Sequence, residues 1–376
     1  MNYYVPFALF CILLCFLFRQ NIKNSNNIFL ATMIIAFIFA AIRYEFGPDW
    51  FNYYDLFQEL QRFGIRGYFE NRGHSEPLFI SYFSIFPSYT LFLAVNSLFW
   101  FGTYTVFFKK FVNNEYYWFV LLMLFFNINC ILNNLVAMRQ SLTSFLFLFA
   151  FILFEKNGWT VKGKVWFVLL LILCSLLHTS CLVLLPLALL SPRTKSVFFS
   201  NYYLFVILVL SLITIILDRY SLIAPLAEFL IGNIEDLQRY ESYLEVYQSS
   251  STSLVALLKY TISVVLELIP LFYLVHQGAR EKDPAQIMIY KLGIIIATVS
   301  CVFGQGLLAR YMMILNPFFI AAIVRACSMS PKTTSNLLVL LCVIFSSVYS
   351  FYHYLQADYC VSFLTYQTVF SAPFIP

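Results

Sequence analysis

The chain has 376 residues, of which 61% are hydrophobic, 20% aromatic and only 11% charged, with a mean hydropathy of +0.80. Apolar runs of about eighteen residues recur along it, which excludes a soluble domain. They mark an all-α polytopic integral membrane protein, one membrane domain over residues 1–376. The net charge of +5 is spread over short links and not gathered in one patch, so it reports topology and offers no footing for nucleic acid.

The first apolar segment, Tyr3–Phe18, has a signal peptide's length without its basic lead or small-x-small cleavage site, and is read as a retained crossing. Ile28–Ile42 crosses next and runs into Arg43-Tyr44-Glu45-Phe46-Gly47-Pro48-Asp49-Trp50-Phe51-Asn52-Tyr53-Tyr54-Asp55. Gly47-Pro48 ends any helix there, because Pro lacks an N–H and biases the residue before it away from α geometry. Arg43 is thereby held on the last membrane turn, with Glu45, Asp49 and Asp55 in or beside water. An interfacial belt, with Trp50, Tyr53 and Tyr54 as headgroup anchors and Arg43 snorkelling, accounts for the same residues. An amphipathic helix is expected over Asp49–Phe63, then Glu76-Pro77 leading into a short apolar piece.

Further crossings are expected at Tyr89–Phe108, Glu115–Asn129 and Asn134–Phe154. Val165–Leu190 is long enough for one tilted helix, yet it carries His178-Thr179-Ser180 at its middle and is flanked by basic residues on both sides. Basic flanks belong in the cytoplasm, so the segment is expected to be two short helices that lift His178 toward the outer face. Tyr202–Leu217, Ser253–Val275, Gln286–Val302, Leu307–Ala326 and Asn336–Tyr354 complete about twelve membrane segments. With the N-terminus outside, every short basic link falls on the cytoplasmic side. The two long segments, about 43–87 and 218–252, then share the opposite face as extracytoplasmic loops. The nine cysteines form no CxxC or Cys/His pattern and read as small buried hydrophobes.

A charge at the bilayer centre costs at least about 2.5–3.5 kcal/mol, so the ionisable groups in or beside the helices need partners or purposes. Lys291 is expected to snorkel to the cytoplasmic end, and Lys259 with Glu267 to form a structural relay on one helix face. Arg139-Gln140 and Arg310-Tyr311 lie near the outer ends of their helices, at the depth of Arg43. A guanidinium stays charged and offers a planar fork to phosphate oxygens, so three of them suit a diphosphate at the lipid–water boundary. Separate ion pairs to Glu45, Asp49 and Glu76 are the structural alternative. His178 is the best-placed group that titrates near neutral pH.

Arg43, Gly47-x-Asp49-x-x-x-Tyr53, Glu76-Pro77, Arg139-Gln140, His178-Thr179-Ser180 and Arg310-Tyr311 follow one another over nearly the whole chain. In that order and spacing the sequence resembles the EpsG-like branch of the Wzy O-antigen and exopolysaccharide polymerases. Pro48 departs from the Thr or similar residue that relatives commonly carry before the Asp. The resemblance implies a GT-C-like membrane glycosyltransferase in the bacterial inner membrane, acting at the periplasmic face. It would move the growing undecaprenyl-diphosphate-linked glycan onto a new lipid-linked repeat unit, with membrane lipid and a chain-length regulator as further candidate partners.

Such a transfer needs fixed positive charge for the leaving diphosphate, which Arg43, Arg139 and Arg310 would supply, and a base, for which Asp49, His178 and Glu45 compete in that order. Gln140, Tyr311, Tyr53 and Glu76 would complete substrate binding, with no metal and no cofactor expected. A flippase for the lipid-linked unit and an O-antigen ligase are the alternatives. Transporters are built from repeats around a midplane site, which this sequence does not show clearly, whereas a ligase differs only in its acceptor.

Overall fold

The computed structural model describes residues 4–46, 49–72, 76–130, 135–157, 159–192, 197–219, 254–303, 313–329, 334–355 and 367–368. Helix α1 (Tyr4–Leu17) leads to α2 (Ile22–Ala41), whose start is fixed by Asn21 accepting the Asn24 N–H. That cap places the helix start in the polar link, ahead of the apolar run. Past α2 the chain forms β1 (Arg43–Tyr44), α3 (Trp50–Arg72) and α4 (Pro77–Ser84). Gly64 takes φ 68° inside α3, a left-handed angle that glycine reaches without steric cost, and bends the helix there. The helix expected to stop at Phe63 therefore continues beyond a kink.

The bundle continues with α5 (Tyr89–Phe111), α6 (Tyr117–Phe126), α7 (Met138–Lys156) and α8 (Val161–Leu177), followed by a 3₁₀ helix over Thr179–Leu189. Ser88 caps α5 and Thr160 caps α8, each accepting a backbone N–H three residues on. The last helices are α9 (Asn201–Arg219), α10 (Leu254–Gly278), α11 (Pro284–Phe303), α12 (Asn316–Met329) and α13 (Thr334–Leu355). Finally β2 (Gln367–Thr368) pairs antiparallel with β1, Arg43 opposite Thr368 and Tyr44 opposite Gln367. Among the described residues, α2, α5, α7, α11 and α13 are long and apolar enough to cross a membrane, and α1, α9, α10 and α12 carry shorter apolar stretches.

The split of Val165–Leu190 at His178 is present, but its second leg is 3₁₀ where an α-helix was expected. Its eleven residues pack on the seventeen of α8. At roughly 2.0 Å per residue a 3₁₀ helix covers about 22 Å, against about 16 Å for an α-helix of the same length.

Phe318 of α12 sits at the centre of the bundle. Its ring centroid lies 5.0 Å from Phe107 on α5, and 5.6 and 4.8 Å from Phe147 and Phe151 on α7, all edge-on. Edge-to-face pairs are worth about 0.5–1.5 kcal/mol each beyond the area they bury. Outward faces are as apolar as the core: Ile34, Ile35, Ile38 and Phe39 on α2, and Leu337, Leu338, Leu341 and Phe345 on α13, are exposed. Such faces are stable against lipid and not against water. Lys110 and Glu155 pair at the basic ends of α5 and α7, so these links share the end opposite Tyr89 and Met138.

Lys291 corrects the sequence expectation. It is 1% exposed and donates to the Ser191 carbonyl at 2.6 Å, tying α11 to the chain after the 3₁₀ helix instead of reaching water. Glu267 accepts from Ser346 at 2.9 Å, while the Lys259 side chain expected beside it lies outside the described residues. The eight described cysteines are buried.

Candidate functional site

A second apolar cluster carries the site. Trp50, Tyr53 and Phe57 of α3 pack with Phe79 and Phe83 of α4, Tyr89 and Phe92 of α5, Met138 of α7 and Leu177 of α8. Met138 and Leu177 are the residues immediately before Arg139 and His178, so the packing that buries the first pair presents the second.

Glu76 stands at the N-cap of α4, with Pro77 in the first turn, where a fixed φ suits the helix and a missing N–H costs nothing. Its carboxylate does not cap that helix. It bridges two other elements, with Oε1 2.6 Å from His178 Nδ1 and Oε2 2.7 Å from Arg139 Nη1. Arg139 Nε also donates to the Tyr53 hydroxyl at 3.3 Å, and the guanidinium carbon lies 5.8 Å from the Tyr53 ring centre and 6.0 Å from that of Phe79. Four residues from α3, the start of α4, the start of α7 and the end of α8 thus meet at one end of the bundle.

Burial alone would raise the Glu76 carboxyl, but the hydrogen bond from His178 and the charges of Arg139 and His178 outweigh it and hold the group down at about 2. An ionised Glu76 accepts only, so the proton between it and His178 sits on Nδ1. The opposite ring nitrogen, Nε2, has no hydrogen-bond partner among the described residues. Burial pushes the Tyr53 hydroxyl up, and Arg139 offsets part of that. Arg139 remains 41% exposed and uses two of its five donors in these bonds, which leaves part of the fork open to an anion. Gln140 beside it has a buried side-chain oxygen without a partner among the described residues.

Arg43 is placed differently from the expectation. It is 1% exposed, and its Nη1 donates to the Ala40 carbonyl and, at 3.2 Å, to the Ser97 hydroxyl on α5. The guanidinium is turned back into the bundle, because a polar acceptor is available on α5 one helix away. Asp49 precedes α3, half-buried, and its carbonyl accepts the Tyr53 N–H at 3.1 Å. Tyr89 donates from its hydroxyl to the Trp50 carbonyl at 3.4 Å and packs edge-on against the Trp50 ring. Glu45 is half-buried with φ 48°, a left-handed backbone that a residue with a Cβ adopts at a cost of about 1–2 kcal/mol. Arg310 and Tyr311 lie outside the described residues, as do Gly47, Pro48 and most of the loop at 218–252. Among the described residues no group of three or more His, Cys, Asp or Glu side chains is spaced to hold a metal ion.

Sequence reasoning named Glu76, Arg139, His178 and Tyr53, and it missed Ser97 as the partner of Arg43. A serine inside an apolar helix was the available signal.

Helices of this length and polarity, packed on an aromatic core with apolar side chains turned outward, define a multi-pass membrane protein. Within that class the chain belongs to the EpsG family, whose profile matches residues 26–368. EpsG is a Wzy-like polymerase family, so the activity is of the exopolysaccharide or O-antigen polymerase type. No curated protein and no solved structure matches the chain.

Proposed function

We propose that the protein is a metal-independent glycosyltransferase that elongates a polysaccharide on a polyprenyl diphosphate at the extracytoplasmic face of the bacterial inner membrane. A hydroxyl of the incoming lipid-linked unit attacks the anomeric carbon of the growing glycan. The carbon–oxygen bond to the diphosphate breaks as the new glycosidic bond forms. His178 Nε2 takes the hydroxyl proton, and the lipid diphosphate leaves with the bonding electron pair. Glu76 holds the imidazole in the tautomer that leaves Nε2 basic, and the free part of the Arg139 fork meets the charge developing on the phosphate oxygens. Gln140 and Tyr53 line the approach, and the GT-C-like description belongs with this reading.

The observation that carries it is the Glu76 carboxylate shared between His178 Nδ1 and Arg139 Nη1. It moves His178 ahead of Asp49 as the base and leaves the buried Arg43 a supporting role. A chain-length regulator is the protein partner that such an activity would engage.

Deleting the gene and resolving surface polysaccharide on a gel tests the proposal. A ladder reduced to a single repeat unit supports a polymerase, loss of all repeat units indicates a flippase, and an unchanged ladder overturns both.

A further inference from the structure

A second polar site lies in the other half of the bundle. Glu267, near the middle of α10, faces an open cleft lined also by Asn127, Ser300, Asn316, Ser346 and Ser350. These polar groups come from the end of α6 and from α10, α11, α12 and α13, helices whose other faces are apolar. A carboxyl at membrane depth is costly unless something repays it, and its hydrogen-bond partner among the described residues is one hydroxyl, Ser346 at 2.9 Å.

Three further groups are short of partners. Asn316 is 7% exposed, and its carboxamide nitrogen has no hydrogen bond among the described residues. The Ser347 hydroxyl, on the same wall, is bonded to the Met123 sulfur at 3.5 Å, a weak acceptor. Pro270, one turn past Glu267, has no N–H to give the Leu266 carbonyl, and both residues line the cleft. Buried polar groups are ordinarily satisfied, so a wall of carboxyl, carboxamide, hydroxyl and freed carbonyl points to a ligand that both donates and accepts many hydrogen bonds.

We propose that this cleft is a saccharide-binding site, separate from the Glu76 cluster, in which Glu267, Asn316 and the α13 serines hydrogen-bond the hydroxyls of a sugar. A bare monovalent cation needs a shell of a few oxygens. The unpartnered donor nitrogen of Asn316 fits a polyol instead, since a cation has no use for a donor. Phe319 and Ile296 supply the apolar surface against which a ring's C–H face packs. The two polar sites are joined through the bundle: the 3₁₀ turn Met313–Leu315, immediately before Asn316, packs on α7, whose first turn carries Arg139. The inference rests on the polymerase reading only in naming the sugar as the acceptor end of a repeat unit.

The test is binding without turnover. The full chain in lipid nanodiscs is titrated calorimetrically with a single-repeat oligosaccharide cut from the host's own surface polysaccharide, and separately with sodium chloride against choline chloride. Wild type should bind the oligosaccharide. Glu267→Gln and Asn316→Ala should each weaken it about tenfold, as expected for one hydrogen bond to a polar or charged group. Ser300→Phe, which fills the cleft, should abolish it while thermal unfolding stays within a few degrees of wild type. Equal affinity in all variants, no binding by wild type at millimolar sugar, binding of sodium alone, or loss of binding in Glu76→Gln but not Glu267→Gln would each overturn the assignment. Because no glycan is extended in this assay, a normal surface ladder after gene deletion would sink the polymerase reading and leave the cleft assignment standing.

Discussion

Glu76 Oε1 and His178 Nδ1 lie 2.6 Å apart across 102 residues of chain. A carboxylate on one ring nitrogen frees the other as an acceptor, so the pair acts as a unit. His178→Ala should lower the polymerisation rate by about 10²–10⁴-fold, the range for a positioned base. Glu76→Gln should approach the same loss, because a carboxamide also donates and no longer fixes the tautomer. Rates measured on purified lipid-linked repeat units decide this; Glu76→Gln at wild-type rate would reduce the contact to packing.

Arg139 contributes a fork, not only a charge. Arg139→Lys should therefore lose long chains about as fully as Arg139→Ala, since an ammonium cannot span Glu76, Tyr53 and a phosphate together. The surface polysaccharide of the two variants, run side by side, checks it. Normal chain length with Lys would show that a point charge suffices.

The depressed Glu76 carboxyl has a consequence for stability. Its pKa is held at about 2 in the fold against 4.5 outside it, so the unfolded chain binds the proton first as pH falls. The stabilisation from Glu76 is full above about pH 4.5 and is lost as pH falls through about 2. Thermal unfolding of wild type and Glu76→Gln should differ most at pH 5 and converge near pH 2; a constant gap would mean that the charge on Glu76 contributes nothing to it.

Arg43 is expected to act on stability before activity. It is buried between Ala40 and Ser97, and removing one partner of a buried polar contact leaves the other unsatisfied. Arg43→Ala should cost about 1–3 kcal/mol and lower the unfolding temperature, with Ser97→Ala costing less. If Arg43→Ala instead keeps its unfolding temperature and loses phosphate-dependent activity, the side chain turns outward in the working enzyme.

Gly293 sits where α11 packs tightly against α12. A Cβ there would meet the Ala322 Cβ at 2.9 Å and the Phe318 carbonyl at 3.3 Å. Gly293→Val should destabilise by about 1–3 kcal/mol through overpacking, whereas Gly102→Ala, with nothing within 4 Å, should be neutral or slightly stabilising. Unfolding curves of the two variants in one detergent compare them directly.

The helices were legible because apolar length is a local property, and so was the break at His178, where basic flanks on both sides demanded a return. Glu76, Arg139, His178 and Tyr53 were legible as chemistry-bearing residues in polar or helix-end positions. Their mutual pairing was not, since contacts across 63 to 102 residues leave no trace in a local pattern. Lys291 was misread because a long cation near a helix end is expected to seek water, but a backbone carbonyl on a neighbouring element serves as well when the packing brings it within reach. Glu267 meets a serine of α13, 79 residues further on, a contact that no local pattern signals.

The small ladder between Arg43–Tyr44 and Gln367–Thr368 fixes which way the far end of the polypeptide emerges. The charge of the links predicts that it lies away from the cytosol, so a passenger protein fused shortly after Thr368 should be delivered across the membrane. Alkaline phosphatase attached there would be active in whole cells, and a fluorescent protein that matures only in the cytosol would stay dark.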